Sequence, residues 1–411
     1  MTIDLHTPLK PQLRLRHARL AASTLFAIVG AATGTWTARM PTIEQHLNLS
    51  HGQLSIALLA LALGGLAGMS LTGRLVDRYG TQQVLVPAAL ALGPALAALV
   101  YTSTFLTLVA ALLLFGFVHG TTNVSMNAYA VACETAYGRP IMSSIHAWFS
   151  VGGLLAAAGG AVFSAADPTA SGTFTTAGAL SLVLAGGSLL AARHAHIDGV
   201  LPPSSRSSAA TGRRPASIPF WRMAGLGLIA FCSLLCEGAT ADWSSVYLDD
   251  SLHGSLGISA SAYAVFALAM TGGRLTADRL VARFGPSTVL RACGLLAAGG
   301  FAAGAVTGAP LAAVAGFGLL GAGLSCVVPQ VYSAAGHLDA ANAGGVLSRV
   351  AALGYSGFVI GPVLIGALAE QVGLAAAMLL LPVLTSVVAV SGGLVRTRES
   401  WRRHSATAIR T

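Results

Sequence analysis

Charge is scarce in this sequence. Only 9% of its 411 residues are Asp, Glu, Lys or Arg, against roughly a quarter in soluble domains. Hydrophobic residues make up 55% and the mean hydropathy is +0.73, which excludes an ordinary water-soluble domain. Lysine is nearly absent: Lys10 stands alone, and every other cationic side chain apart from histidine is arginine. The net charge of +9 does not read as a nucleic-acid surface, because the arginines are scattered between long apolar runs. The five cysteines, Cys133, Cys232, Cys236, Cys293 and Cys326, lie in or beside those runs. Cys232 and Cys236 share a helix face, yet no partners follow at zinc spacing, so inert buried thiols are expected and no metal. There is no phosphate-cradling loop, no H-E-x-x-H, no G-x-S-x-G and no paired carboxylates. ATP hydrolysis and membrane-enzyme chemistry are therefore not expected, and no cofactor is called for.

What the chain has in abundance is spanning segments. A membrane helix needs about 20 mostly apolar residues, and twelve such stretches can be marked: 18–40, 52–75, 82–101, 104–132, 142–165, 174–192, 221–248, 259–279, 287–306, 310–336, 346–369 and 374–395. Turn and cap signals separate them at Pro41, Asn48-Leu49-Ser50, Gly80-Thr81, Asp167-Pro168, Gly257-Ile258-Ser259 and Asp339 to Gly345. The polar stretch 193–219, rich in Ser, Pro and Arg, reads as a linker between two six-helix bundles, 18–192 and 220–395. Tails 1–17 and 396–411 flank them. The first apolar run follows a polar N-terminal stretch without a small-residue cleavage site, so a retained helix is expected. With both tails inside, every Lys and Arg except Arg39 falls on the cytoplasmic side, which orients the protein in a bacterial inner membrane.

Two stretches in the chain echo each other. Gly73-Arg74-Leu75-Val76-Asp77-Arg78-Tyr79-Gly80 closes the second span. Gly273-Arg274-Leu275-Thr276-Ala277-Asp278-Arg279, ending at Arg283-Phe284-Gly285, closes the eighth. Each places an acid and arginines at a short cytoplasmic turn, with a glycine that permits close helix approach. The paired motif resembles the loop signature of the major facilitator superfamily, at Gly73, Asp77, Arg78 and Gly80 and again at Gly273, Asp278, Arg279, Arg283 and Gly285. The stretches Trp36 to Pro41, Ser144 to Gly153 and Glu237 to Tyr247 are most similar to its fucose-permease-like branch. The resemblance implies an all-α membrane fold of twelve helices in two pseudo-symmetric bundles. It also implies a small-molecule substrate bound between them and alternating access by rocking.

The residues themselves suggest where chemistry sits. An ionisable group inside hydrocarbon costs at least about 2.5–3.5 kcal/mol, so each one is a functional candidate. Glu237 is the acid deepest in a span, and a carboxyl removed from water favours its neutral form, which makes it the candidate proton-coupling group. A hydrogen-bonded packing role is the bland alternative. His119, Asn123 and Asn127 recur every four residues on the fourth span, and His146 and Ser150 do so on the fifth. Either they line a cavity or they bond neighbouring helices. His146 is also a candidate proton relay. Gln330 answers Asn127 in the second half, with Tyr332 and Tyr355 nearby, while Trp36 and Trp243 either cap the cavity or belong to an aromatic belt. Arg39 and Asp242 form a candidate outer gate.

The expected protein is thus a monomeric secondary transporter working in the lipid bilayer. Its expected cargo is a small polar solute such as a sugar, moved by proton symport. Proton-coupled efflux and a non-transporting sensor are the alternatives. Two departures bear on them. The Gly-Pro pair Gly361-Pro362 falls in the eleventh span rather than the fifth, where drug antiporters carry theirs. The fourth span holds no acid within its apolar run, Glu134 standing at its cytoplasmic end.

Overall fold

The computed structural model describes residues 11–163, 171–195, 219–339 and 342–396. Nearly all of the expected linker, most of the N-terminal tail, the C-terminal tail beyond Arg396 and the Asp167-Pro168 turn lie outside them. The described residues are helical throughout, with no strand among them. Chain order runs α1 Pro11–His46, α2 His51–Tyr79, α3 Thr81–Ala98, α4 Phe105–Tyr137, α5 Met142–Phe163 and α6 Ser171–Ala195. It continues with α7 Phe220–Val246, α8 Leu256–Phe284, α9 Pro286–Val306, and α10 in two pieces, Pro310–Leu324 and Val327–Leu338. α11 is Ala343–Val372, and α12 is again divided, into Leu374–Met378 and Leu380–Ser391. Among the described residues, nine of these segments are long and apolar enough to cross a bilayer; α5, α6 and α8 complete the expected set.

Local chemistry sets the ends. Ser50 caps α2 by accepting from the Gln53 amide at 3.2 Å while the Gln53 side chain accepts from the Ser50 amide, a reciprocal capping box. Gly80 (φ 96°) and Gly285 (φ 81°) each end one helix and begin the next, a backbone that a side chain would strain. Pro41 does not stop α1, contrary to its reading as a turn: the helix runs on to His46 and turns only at Asn48 (φ 48°). Proline removes a single intrahelical bond, which a helix supported by its neighbours tolerates.

Packing repeats between the halves. In the first, α1 lies on α5 and α2 on α4; in the second, α7 lies on α11 and α8 on α10. Small residues set these contacts, since hydrocarbon offers no hydrophobic drive between helices. A Cβ on Gly120 would strike the Gly65 carbonyl, and one on Gly321 the Phe266 carbonyl, so backbones touch where side chains would otherwise intervene. Leucines and valines such as Leu59, Leu155, Leu295 and Val363 point outward, as a lipid-facing surface requires. The halves meet along α2 with α11 and α5 with α8.

Candidate functional site

The acids at the arginine-rich end have a common task. The start of α5 presents free amides, and two carboxylates from opposite halves satisfy four of them. Glu134 on α4 accepts from the amides of Ile141 (3.0 Å) and Met142 (3.1 Å). Asp278 on α8 accepts from those of Ser143 and Ser144 (2.9 Å each). Glu134 also accepts a short hydrogen bond from the Ser333 hydroxyl of α10. Asp77 mirrors the device across the molecule, accepting from the Gly345 amide at the start of α11 (2.9 Å). Helix N-termini favour such anions. Ser348 donates to the Met69 carbonyl (2.8 Å) and Thr135 bonds His337 (3.1 Å), so the two halves are latched together at this end.

The latch corrects the register of the echoed motif. The capping glycines set Arg279-Leu280-Val281-Ala282-Arg283-Phe284-Gly285 opposite Arg74-Leu75-Val76-Asp77-Arg78-Tyr79-Gly80. Gly273 and Asp278 are therefore not the equivalents of Gly73 and Asp77. Asp278 stands where Gly73 does, one helical turn deeper than Asp77, and reaches α5 from there. Arg78 and Arg283 remain matched, each over the aromatic ring that follows it (5.2 Å to the centroid).

The same register carries Arg274 inward. It precedes the Gly285 cap by eleven residues, about 16 Å along an α-helix, which is mid-depth rather than loop. Its side chain is only 6% exposed. Nη1 donates to the Ser150 hydroxyl of α5 at 2.5 Å, while buried Nε has no acceptor among the described residues. The half-buried Glu237 carboxylate of α7 attracts it electrostatically without making a contact ion pair. Glu237 lies within electrostatic reach of Tyr263 of α8 and Tyr332 of α10, and Arg274 within that of His146 of α5. Charge, hydroxyls and imidazole from four helices and both halves thus lie within electrostatic reach of one another, Tyr263 standing about three turns from Arg274 along α8.

The other expected site residues divide. His146 is 7% exposed; its Nε2 bonds the Asn127 carboxamide oxygen (3.1 Å), and its ring meets Phe26 edge-on at 4.7 Å and Tyr332 at 6.1 Å. Asn127 donates to the Asn123 carbonyl (2.8 Å), and His119 bonds Thr33 (3.2 Å), so the stripe on α4 is satisfied largely within its own half. Gln330 does not join the convergence: it donates to the Ser143 hydroxyl (3.4 Å) in the latch. Trp36 is buried in the core of its bundle. Trp243 donates its indole N–H to the Pro362 carbonyl (2.9 Å) and lies against Gly366, holding α7 to α11. Tyr355 stacks on Phe358 (6.3 Å between centroids) and lies against Gly65 of α2. Arg39 is buried along Gly160 of α5, whereas Asp242 is exposed and makes no ion pair with it in this conformation.

Arg274 and Tyr263 join the candidate site from the structure and are absent from the candidates that the sequence offers. The motif groups Arg274 with the arginines of a cytoplasmic turn, whereas its distance from the capping Gly285 is the signal that places it at depth.

Helices of spanning length, doubled packing and a charged group of residues between two halves define a membrane transporter. The Major Facilitator Superfamily profile matches residues 20–339 and 226–409, and the chain belongs to that family. It is 35% identical over 366 residues, 89% of this chain and 94% of the relative, to an uncharacterized transporter y4wD of Sinorhizobium fredii. It is 33% identical over 373 residues, 90% and 94% respectively, to an uncharacterized transporter of this type from Yersinia pestis. Among solved structures, it is similar in fold to FucP, the E. coli fucose:proton symporter, in its outward conformation. That match has a TM-score of 0.74 at 16% identity and covers 92% of this chain and 99% of the other.

Proposed function

We propose that this protein is a monomeric secondary active transporter that moves a small polar solute across a bacterial inner membrane by alternating access, coupled to protons. The observation that carries the reading is the placement of Glu237 and Arg274: two opposite charges at mid-depth, separated rather than in contact, with Arg274 bonded across the halves to Ser150. Charges are held in hydrocarbon where function needs them. Glu237 takes up the proton, and its protonation releases Arg274 from electrostatic attraction. The arginine-rich end is the cytoplasmic one by the charge rule, so the latched conformation is the one closed to the cytoplasm. Its likeness in fold to FucP in the outward conformation supports that assignment. Opening inward breaks the bonds of Asp278, Asp77 and Ser333 across the halves.

Glu237→Gln in proteoliposomes tests the coupling. The expected outcome is loss of accumulation driven by a pH gradient, with substrate exchange across the membrane retained. Undiminished uphill accumulation would remove Glu237 from the mechanism.

A further inference from the structure

Arg274 is under-supplied with acceptors. A guanidinium carries five N–H donors, and one hydrogen bond, to the neutral Ser150 hydroxyl, is made among the described residues. Nε is buried without any acceptor, a deficit that costs more for a charged group than for a neutral one. The nearest acid, Glu237, is out of contact. Neither α5 nor α10 carries a carboxylate; α5 presents Ser150 and His146 to the guanidinium, and Tyr332 of α10 lies against the His146 ring.

We infer that the substrate is a small monovalent hydroxycarboxylate, whose carboxylate takes Arg274 as its counter-ion. This deepens the function proposed above and rests on Glu237 carrying the proton. Charge balance singles out this class. In the empty carrier, ionised Glu237 and Arg274 cancel. When Glu237 is protonated for symport, Arg274 is left uncompensated at mid-depth, and an ionised group there is costly. A monovalent anion restores neutrality, so the empty and the fully loaded carrier both cross as neutral sites. A neutral sugar loaded with one proton would leave the site with a net positive charge. The charged and titratable groups within electrostatic reach of Glu237 are Arg274, Tyr263 and Tyr332; Asp242 acts on Tyr263, and His146 lies within reach of Arg274. The tyrosine hydroxyls and the protonated Glu237 are the partners for the substrate's hydroxyl groups.

The test is thermal unfolding of the purified full chain with lactate, glycerate and gluconate, each against its neutral counterpart: propane-1,2-diol, glycerol and glucitol. At least one acid should raise Tm by several degrees, increasingly with concentration as mass action requires, and its alcohol should not. The rise should vanish in Arg274→Gln and survive in part in Arg274→Lys. The wild-type comparison of acid with alcohol stands even if Arg274→Gln does not fold. Stabilisation by the alcohols as strong as by the acids, or by no acid at all, overturns the inference, as does a shift that Arg274→Gln retains. Glu237→Gln separates the two claims. Acid binding with loss of uphill transport supports both. Acid binding with uphill transport intact refutes the coupling role of Glu237 alone. Loss of acid specificity together with loss of uphill transport refutes the anion site alone.

Discussion

Asp278→Asn should unlatch the transporter. The carboxylate accepts from two amides of α5, Ser143 and Ser144, at 2.9 Å each. Asparagine keeps one carbonyl oxygen for one of them and turns an NH2 group toward the other. The loss is one hydrogen bond to a charged group, about 1.5–3 kcal/mol, plus about 0.3–1 kcal/mol for a negative charge at a helix N-terminus. Because the partners sit in opposite halves, that energy is lost only in the latched state. A shift of about 2–4 kcal/mol corresponds to roughly 30-fold to several hundred-fold in the equilibrium between latched and open forms. A protein latched 99 to 1 would then fall to about 3 to 1 or lower. Spin labels at the exposed positions 139 and 349, in opposite halves at the arginine-rich end, report the opening as a longer distance component. The native cysteines interfere little, since four of the five are buried. Asp250→Asn, at an exposed position beyond α7, is the control and should leave the distances unchanged. An unaltered distance distribution in a folded Asp278→Asn protein would refute the reasoning.

Further predictions concern packing. Gly120→Ala drives a methyl into the Gly65 carbonyl and should destabilise by about 1–3 kcal/mol or more, read as a lower Tm in detergent. Gly187→Ala, on an open face of α6 with nothing near, should instead stabilise by about 0.5–1 kcal/mol through helix propensity alone. Trp243→Phe deletes the indole hydrogen bond to Pro362, which should cost about 0.5–1.5 kcal/mol and leave substrate selectivity unchanged. A change of selectivity in transport assays would return Trp243 to the binding site.

The architecture was legible because its causes are local. Apolar runs of spanning length, the Ser50 capping box and glycines at Gly80 and Gly285 act through near neighbours, and the helices fall where the runs do. Pro41 misled because the turn reading weighs proline as a breaker, while the α5 helix packed along α1 supports the chain beyond it. The polar residues were recognisable as buried but not as to their partners. His119, Asn123 and Asn127 share a helix face as their spacing requires, yet whether such a face meets a cavity or a neighbour depends on chain 19 to 86 residues away. His146 and Thr33 turned out to supply the partners. Gln330 answers Asn127 in the sequence repeat, and the half opposite, through Ser143, draws it into the latch.

The two copies of the motif diverge in a way that bears on the mechanism. Both copies end on a glycine with positive φ and both carry an acid that binds a helix start in the other half, so the bracing role is shared. With the helix ends superposed, the second acid lies a turn deeper, and Met69 in the first copy stands where the second places Arg274. The side chain at that depth is apolar and buried in one half, charged and short of acceptors in the other. A pseudo-symmetric scaffold can therefore rock as a symmetric machine while its charge lies in one half. Glu237 and Arg274 both belong to the C-terminal bundle, and the N-terminal bundle answers with neutral Ser150 and with His146. On the proposed mechanism, protonation and anion binding act on one bundle, and the hydrogen bond from Arg274 to Ser150 reports them to the other. Ser150→Ala should leave acid binding to Arg274 in place and uncouple it from opening of the latch. The measurement is the spin-label distance across the arginine-rich end with and without the stabilising acid; a ligand response equal to that of the wild type would show that the signal travels by another route.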